Sequence, residues 1–176
     1  MISKEIQNMI NTQINAELWS AYLYFSMSLC AESSGHNGLG TWLYVQSCEE
    51  INHSRILQNF LLTQGCKVKF CSIDEVPCHW SSPLDIMQSA LKQEKNITRH
   101  INEIMQKAQS ENDYATCNLM SWFINEQSEE EDTCHKIIQQ YENASNTPCA
   151  IMQIDRDLGT RKYQPLQFKQ TETWYT

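Results

Sequence analysis

Positive charge is scarce in this chain: Lys and Arg number 13 against 21 Asp and Glu, for a formal net charge of -8. Nucleic acid is therefore excluded as a partner, whereas a surplus of carboxylates suits the gathering of cations. Long apolar runs are missing as well. No stretch approaches the roughly 20 apolar residues that a membrane span requires, so no membrane association is expected. The opening residues Met1-Ile2-Ser3-Lys4-Glu5 turn polar within a few positions and lack the apolar core of a secretory signal, so a cytoplasmic location is expected. Also absent is any Cys-x-x-Cys pair, although the chain carries 8 cysteines. Their scattered spacing, in a chain large enough to fold without staples, argues against a disulfide framework. Cys30, Cys48, Cys117 and Cys134 fall inside helical patterns as small buried or half-buried residues. Cys66, Cys71 and Cys78 crowd one loop with His79, where reactive or incidental thiols are a better reading than a zinc site.

What is present is helical periodicity. With 176 residues, 41% hydrophobic and 19% charged, the chain reads as one globular domain over residues 1–161 followed by a polar tail, 162–176. Apolar residues at three- and four-residue steps predict a first helix over 3–32, capped by Ser3, with Ile6, Ile10, Ile14, Leu18, Ala21, Phe25 and Leu29 on its stripe. A turn, Ser33-Ser34-Gly35-His36-Asn37-Gly38, leads to a second helix over 39–64, ended by Gly65. Residues 66–83 hold two prolines and no helical period, and they are long enough to cross from one end of a bundle to the other. A third helix parallel to the second follows, opened by Ser82-Pro83, then a fourth after Ser110-Glu111-Asn112-Asp113. A short fifth helix over 148–159 has an apolar side, Ile151, Met152, Ile154 and Leu158, that a closed four-helix unit over 3–143 has no room for; subunit contact is expected there. The tail, with Trp174 and Tyr175, is expected to be partly disordered. The fold class is all-α: a four-helix bundle with one long crossover between helices two and three, plus a short C-terminal helix.

The informative feature is that ionisable groups interrupt every inner seam. On helix two the row Leu39, Leu43, Gln46, Leu57, Phe60 passes through Glu50 and His53, an i, i+3 pair able to hold one metal ion. Taken alone, that pair is equally well read as a core histidine beside a surface Glu. Helix one places Glu17 and Tyr24 on its inner edge, and helix three places Glu94 among Leu91, Ile97 and Ile101. On helix four the stripe Leu119, Phe123, Ile137, Tyr141 is broken by Glu126 and Glu130, with Gln127 adjacent, while Glu131 and Asp132 read as a solvated face. Buried carboxylates must be paired, protonated or bound to cations. Breaks at matching heights on four helices therefore describe a carboxylate-rich cavity for two or more hard or borderline cations.

Residues 3–161 resemble the bacterial non-haem ferritins, a ferritin-like di-iron family. The likeness rests on Glu17 and Tyr24, Glu49-Glu50-x-x-His53, Glu94, Trp122-Phe123-x-x-Glu126-Gln127-x-Glu129-Glu130, and the late Ile154-Asp155-Arg156-Asp157-Leu158-Gly159-Thr160-Arg161. The resemblance implies a first iron site of Glu17, Glu50 and His53, with Glu50 bridging to a second iron held by Glu94 and Glu130. It implies Gln127 close by, a third iron site of Glu49, Glu126, Glu129 and Glu130, and Tyr24 as electron donor or hydrogen-bond partner. It also implies ferroxidase activity, oxidation of Fe(II) by dioxygen or hydrogen peroxide, and storage of ferric mineral in a homo-oligomeric shell of twenty-four subunits. Bacterioferritins and rubrerythrins carry Glu-x-x-His on the fourth helix; here no histidine precedes His135 in that helix, which argues against haem. Animal ferritins line a three-fold pore with acids where this chain has Cys117 and Met120. Two rival readings stay open: a non-catalytic iron or zinc buffer using the same ligands, and a peroxide-consuming di-iron protein like rubrerythrin.

Overall fold

A computed structural model describes residues 2–145 and 147–164. The expectation for the tail around Trp174 and Tyr175 lies outside the described residues. The described residues form five helices: α1 (Lys4–Ser33), α2 (Asn37–Thr63), α3 (Pro83–Ser110), α4 (Tyr114–Ala144) and α5 (Pro148–Leu158). Local chemistry sets most of their ends. Ser3 Oγ accepts from the Ile6 amide at 3.2 Å, Ser82 Oγ from Asp85 at 3.1 Å, and Asp113 Oδ1 from Thr116 at 3.2 Å. Pro83 occupies the first turn of α3, where its missing N–H costs nothing. Gly65 leaves α2 with φ +71°, a left-handed conformation that a side chain would strain.

The path of the crossover can be followed along α1. Gln7 and Asn11 hold Lys67 and Lys69, Asn15 reaches the Ser72 carbonyl, and Ser26 Oγ donates to Pro77 O at 2.7 Å. The crossover therefore climbs the length of the bundle. Glu5 pairs with Lys107 at the end of α3, at the same end where Gln7 meets Lys67 just beyond α2. Both helices thus run opposite to α1 and parallel to each other, as the length of the connection predicts. Among the described residues no helix is long and apolar enough to cross a membrane.

Two rows of helix one compete for the interior, and the structure selects one. Ile6, Ile10, Ile14, Glu17, Ala21 and Tyr24 are buried, whereas Leu18 is only half-buried and Phe25 and Leu29 are exposed. The apolar interior falls into two clusters. One, around Tyr24, Met27, Leu43, Met87 and Ile137, lies toward the α1–α2 turn; the other, around Ile10, Leu57, Phe60, Ile101 and Phe123, lies toward the opposite end. Each such aliphatic or aromatic side chain contributes about 1.5–3 kcal/mol on burial.

The apolar side of α5 finds room on its own bundle: the helix packs on α2 and α4, with Ile151, Ile154 and Leu158 half-buried against the first cluster, while Met152 stays exposed. The end of a bundle offers apolar surface that the seams of its helices do not reveal. The anchor is Asp155, whose two carboxylate oxygens accept from Gly38 N at 3.0 Å and Leu39 N at 2.9 Å. His36 provides no side-chain cap for α2. Asp155 therefore caps it from 116 residues away, as measured to Leu39.

Candidate metal centre

Between the two apolar clusters lies a belt of polar side chains drawn from four helices. Glu17, Glu50, His53, Glu94, Gln127 and Glu130 are all buried. Their orientation comes from glutamines with a shared spacing: α1 and α2 each carry Gln-x-x-x-Glu. Gln13 Nε2 donates to Glu17 Oε1 at 2.8 Å, and Gln46 Nε2 donates to Glu50 Oε1 at 3.0 Å. Residues four apart share a helix face, so each amide steers the carboxylate of its own helix. On the other side of the belt Tyr24 donates to Glu94 Oε1, and Gln127 Nε2 donates to Glu94 Oε2 at 2.9 Å. His53 Nδ1 lies 3.2 Å from Glu50 Oε2, and its ring edge packs on Trp122 and Phe123.

Two groups of donors converge. Glu17, Glu50 and His53 each bring a ligand atom within 4.8 Å of the others, and so do His53, Glu126 and Glu130. The groups share His53. Glu94 is engaged by Tyr24 and Gln127 and belongs to neither group among the described residues. Of the residues that the resemblance assigns to a third site, Glu126 sits at the rim with 21% side-chain exposure, and its Oε1 is 3.9 Å from His53 Nε2. Glu49 is paired with Arg161, and Glu129 is exposed and outside both groups.

The stripe of helix four needs correction: Gln127 is its buried centre, and Glu126 stands to one side. Glu131, expected to be solvated, is half-buried and accepts from Thr98 Oγ1 at 2.5 Å. All eight cysteines are free, and Cys66, Cys71, Cys78 and His79 form no three-donor group among the described residues. Met120 is fully buried in the second cluster, so it lines no pore.

This belt is electrostatically unsatisfied unless cations or protons fill it. Glu17 Oε2 and His53 Nε2 are buried and have no hydrogen-bond partner among the described residues. Such atoms are costly unless something binds them, and carboxylate oxygen with imidazole nitrogen suits iron, manganese or zinc. Burial, with repulsion from Glu50, pushes the Glu17 carboxyl up to about 8. The same causes push Glu130 up to about 7 and hold Glu94 well above the usual carboxylate range. Burial opposes charge on His53, yet Glu50 and Glu126 outweigh it and raise the imidazole well above its ordinary value. Protons thus substitute for cations in the metal-free protein.

The consequence for stability has a definite sign. Groups whose folded pKa is raised stabilise the fold below their unfolded value, here 4.5 for the carboxyls, and that contribution is lost as pH rises through about 7 for Glu130 and 8 for Glu17. The melting temperature of the metal-free protein should fall between about pH 5 and pH 9, and a redox-inert divalent ion should restore it at the alkaline end. A melting temperature that rises over that interval would refute the protonated belt.

Comparison with known proteins agrees with this geometry. The sequence matches the family described as Ferritin-like domain over residues 7–144. A bacterial non-heme ferritin of Bacteroides fragilis is 35% identical over 161 residues, which is 92% of this chain and all of the relative. A probable bacterial non-heme ferritin-like protein of Haemophilus influenzae is 32% identical, covering 90% of this chain and 96% of its own. Among solved structures, an open pore ferritin from Archaeoglobus fulgidus superposes with a TM-score of 0.91 at 34% identity, covering 92% of this chain and all of that one.

Proposed function

Because this chain belongs to the ferritin-like family, alongside relatives named bacterial non-heme ferritins, we propose that it is a cytoplasmic iron-storage protein that oxidises Fe(II) at the belt before mineral is laid down. The observation that carries the reading is the convergence of Glu17, Glu50 and His53 on ligand atoms that are buried and, at Glu17 Oε2 and His53 Nε2, unpartnered. Iron is the substrate. A first ferrous ion takes Glu17, Glu50 and His53; a second takes Glu130 and Glu94, with Glu50 between the two. Glu126 and Glu129 would meet a third on its way out, joined by Glu49 only when Arg161, its partner in the structure, releases it.

Each ferrous ion gives up one electron. Two electrons and two protons reduce dioxygen to hydrogen peroxide, or reduce hydrogen peroxide to two waters. Hard anionic oxygens favour the ferric product, which is why carboxylates outnumber nitrogen donors here. The belt also carries protons that iron displaces from Glu17 and Glu130. Tyr24, hydrogen-bonded to Glu94, holds that carboxylate in place, and we read it as an electron donor to the centre. Gln127 holds the other oxygen of Glu94.

Storage requires a shell, and we read the exposed row Tyr22, Phe25, Leu29 with Tyr44 as subunit-contact surface in a homo-oligomer of twenty-four chains. The test is addition of Fe(II) in air to the assembled, metal-free protein, followed by absorbance and oxygen consumption. A fast phase consuming about two Fe(II) per subunit is expected. Slow, featureless growth at the rate of buffer alone would favour a non-catalytic buffer instead.

A further inference from the structure

One cation already stands at the rim of the belt, and the chain supplies it. Arg161, three residues beyond the end of α5, donates Nη1 to Gln46 Oε1 at 2.8 Å and pairs through Nη2 with Glu49 Oε2. Its guanidinium carbon lies 4.5 Å from the centroid of the Trp42 ring. Three partners on one face of α2 thus hold a planar fork. The pair is partly screened from water, at 23% exposure for Arg161 and 12% for Glu49.

The contact with Gln46 reaches further. An amide has one acceptor oxygen and one donor nitrogen. With its oxygen claimed by Arg161, Gln46 must present Nε2 inward, where it donates to Glu50 Oε1. Arg161 is therefore linked through one side chain to the carboxylate at the centre of the belt. Its own position is secured by α5, which Asp155 ties to the start of α2, and by the close approach of Gly159 to Gly38.

We propose that Arg161 is a positioning residue that fills the Glu49 end of the centre with a built-in positive charge, keeping Glu49 from binding metal while fixing Gln46, and through it Glu50, for the two-iron site. The proposal rests on the iron-oxidising reading above and deepens it. A divalent ion approaching Glu49 meets a guanidinium already in the carboxylate's bonding direction. It can be held there only if Arg161 withdraws, so iron passing that rim does so by exchanging with Arg161.

The test counts bound ions with Mn(II), which prefers oxygen donors to thiols and is not oxidised under the assay conditions. Electron paramagnetic resonance titration is made on assembled protein, as wild type, Arg161→Gln, Arg161→Lys and Arg161→Gln with Glu49→Gln. Wild type should bind about two ions per subunit. Arg161→Gln should bind a further one at Glu49, or bind it about tenfold tighter than wild type. Arg161→Lys, which keeps the charge, should not, and removing Glu49 as well should abolish the gain. Native particle mass, measured on each variant, establishes that the added ion belongs to an intact shell. Unchanged stoichiometry and affinity in Arg161→Gln would overturn the proposal while leaving the two-ion site standing, as would a gain that survives loss of Glu49. Wild type that binds no Mn(II) would overturn the iron-oxidising reading itself and this proposal with it.

Discussion

Glu50→Ala is expected to slow the initial oxidation of Fe(II) by about 100-fold or more while leaving the protein folded. Glu50 is the group through which the belt is coupled. Its charge raises Glu17, Glu94 and Glu130 and also raises His53. Its two oxygens face Gln46 on one side and His53 on the other. Removing it deprives both proposed iron positions of a shared ligand. Removing it also takes one negative charge from a crowded acid cluster, so the metal-free fold gains electrostatically what it loses to a small cavity. The rate and the stability of the variant should therefore part company. Stopped-flow absorbance gives the first and thermal denaturation of the metal-free protein the second; an initial rate within about twofold of wild type would remove Glu50 from its role.

Gly38→Ala has the largest expected effect on structure. A methyl group there would lie 1.7 Å from the carbonyl oxygen of Asp155 and 2.5 Å from its carbonyl carbon. Both are backbone atoms, so α5 must move as a body. The two hydrogen bonds that Asp155 accepts from the start of α2 go with it, and Arg161 is drawn away from Glu49. Overpacking and a lost cap together come to about 3 kcal/mol. Gly35→Ala is the instructive comparison. Nothing among the described residues lies within 4 Å of its added methyl, and only the φ of +84° is strained, at a cost of about 1 kcal/mol. Denaturation midpoints and limited proteolysis between α4 and α5 measure the two; equal midpoints would show that α5 is not wedged on Gly38.

Much of this architecture is legible in the residues because the signals are local. Ser3, Ser82 with Pro83, Asp113 and Gly65 mark helix ends through their own side chains or φ preferences. The inward acids are legible too, since an acid between apolar neighbours at helical spacing has its direction fixed by them. What was not legible depends on contacts distant in sequence. Phe25 and Leu29 fit a helical stripe as well as Tyr24 and Met27 do, and only the packing of the other helices decides that the first pair is exposed. Glu126 and Gln127 are neighbours in sequence, and a shift of about 100° around the helix axis separates rim from centre. The repeated Gln-x-x-x-Glu of α1 and α2 was a readable signal for the glutamines that steer Glu17 and Glu50. Arg161 carried no such signal, because its partner Glu49 is 112 residues away.

The ionic belt has a mechanical corollary. It divides the subunit's dry interior into two compartments that touch different portions of the same helices, one containing Leu43 and the other Phe60. Deletions in separate compartments have no neighbours in common, so their penalties should sum, whereas a pair of deletions inside either one should not. An engineer could therefore repack one compartment for heat tolerance and leave the chemistry at the waist untouched.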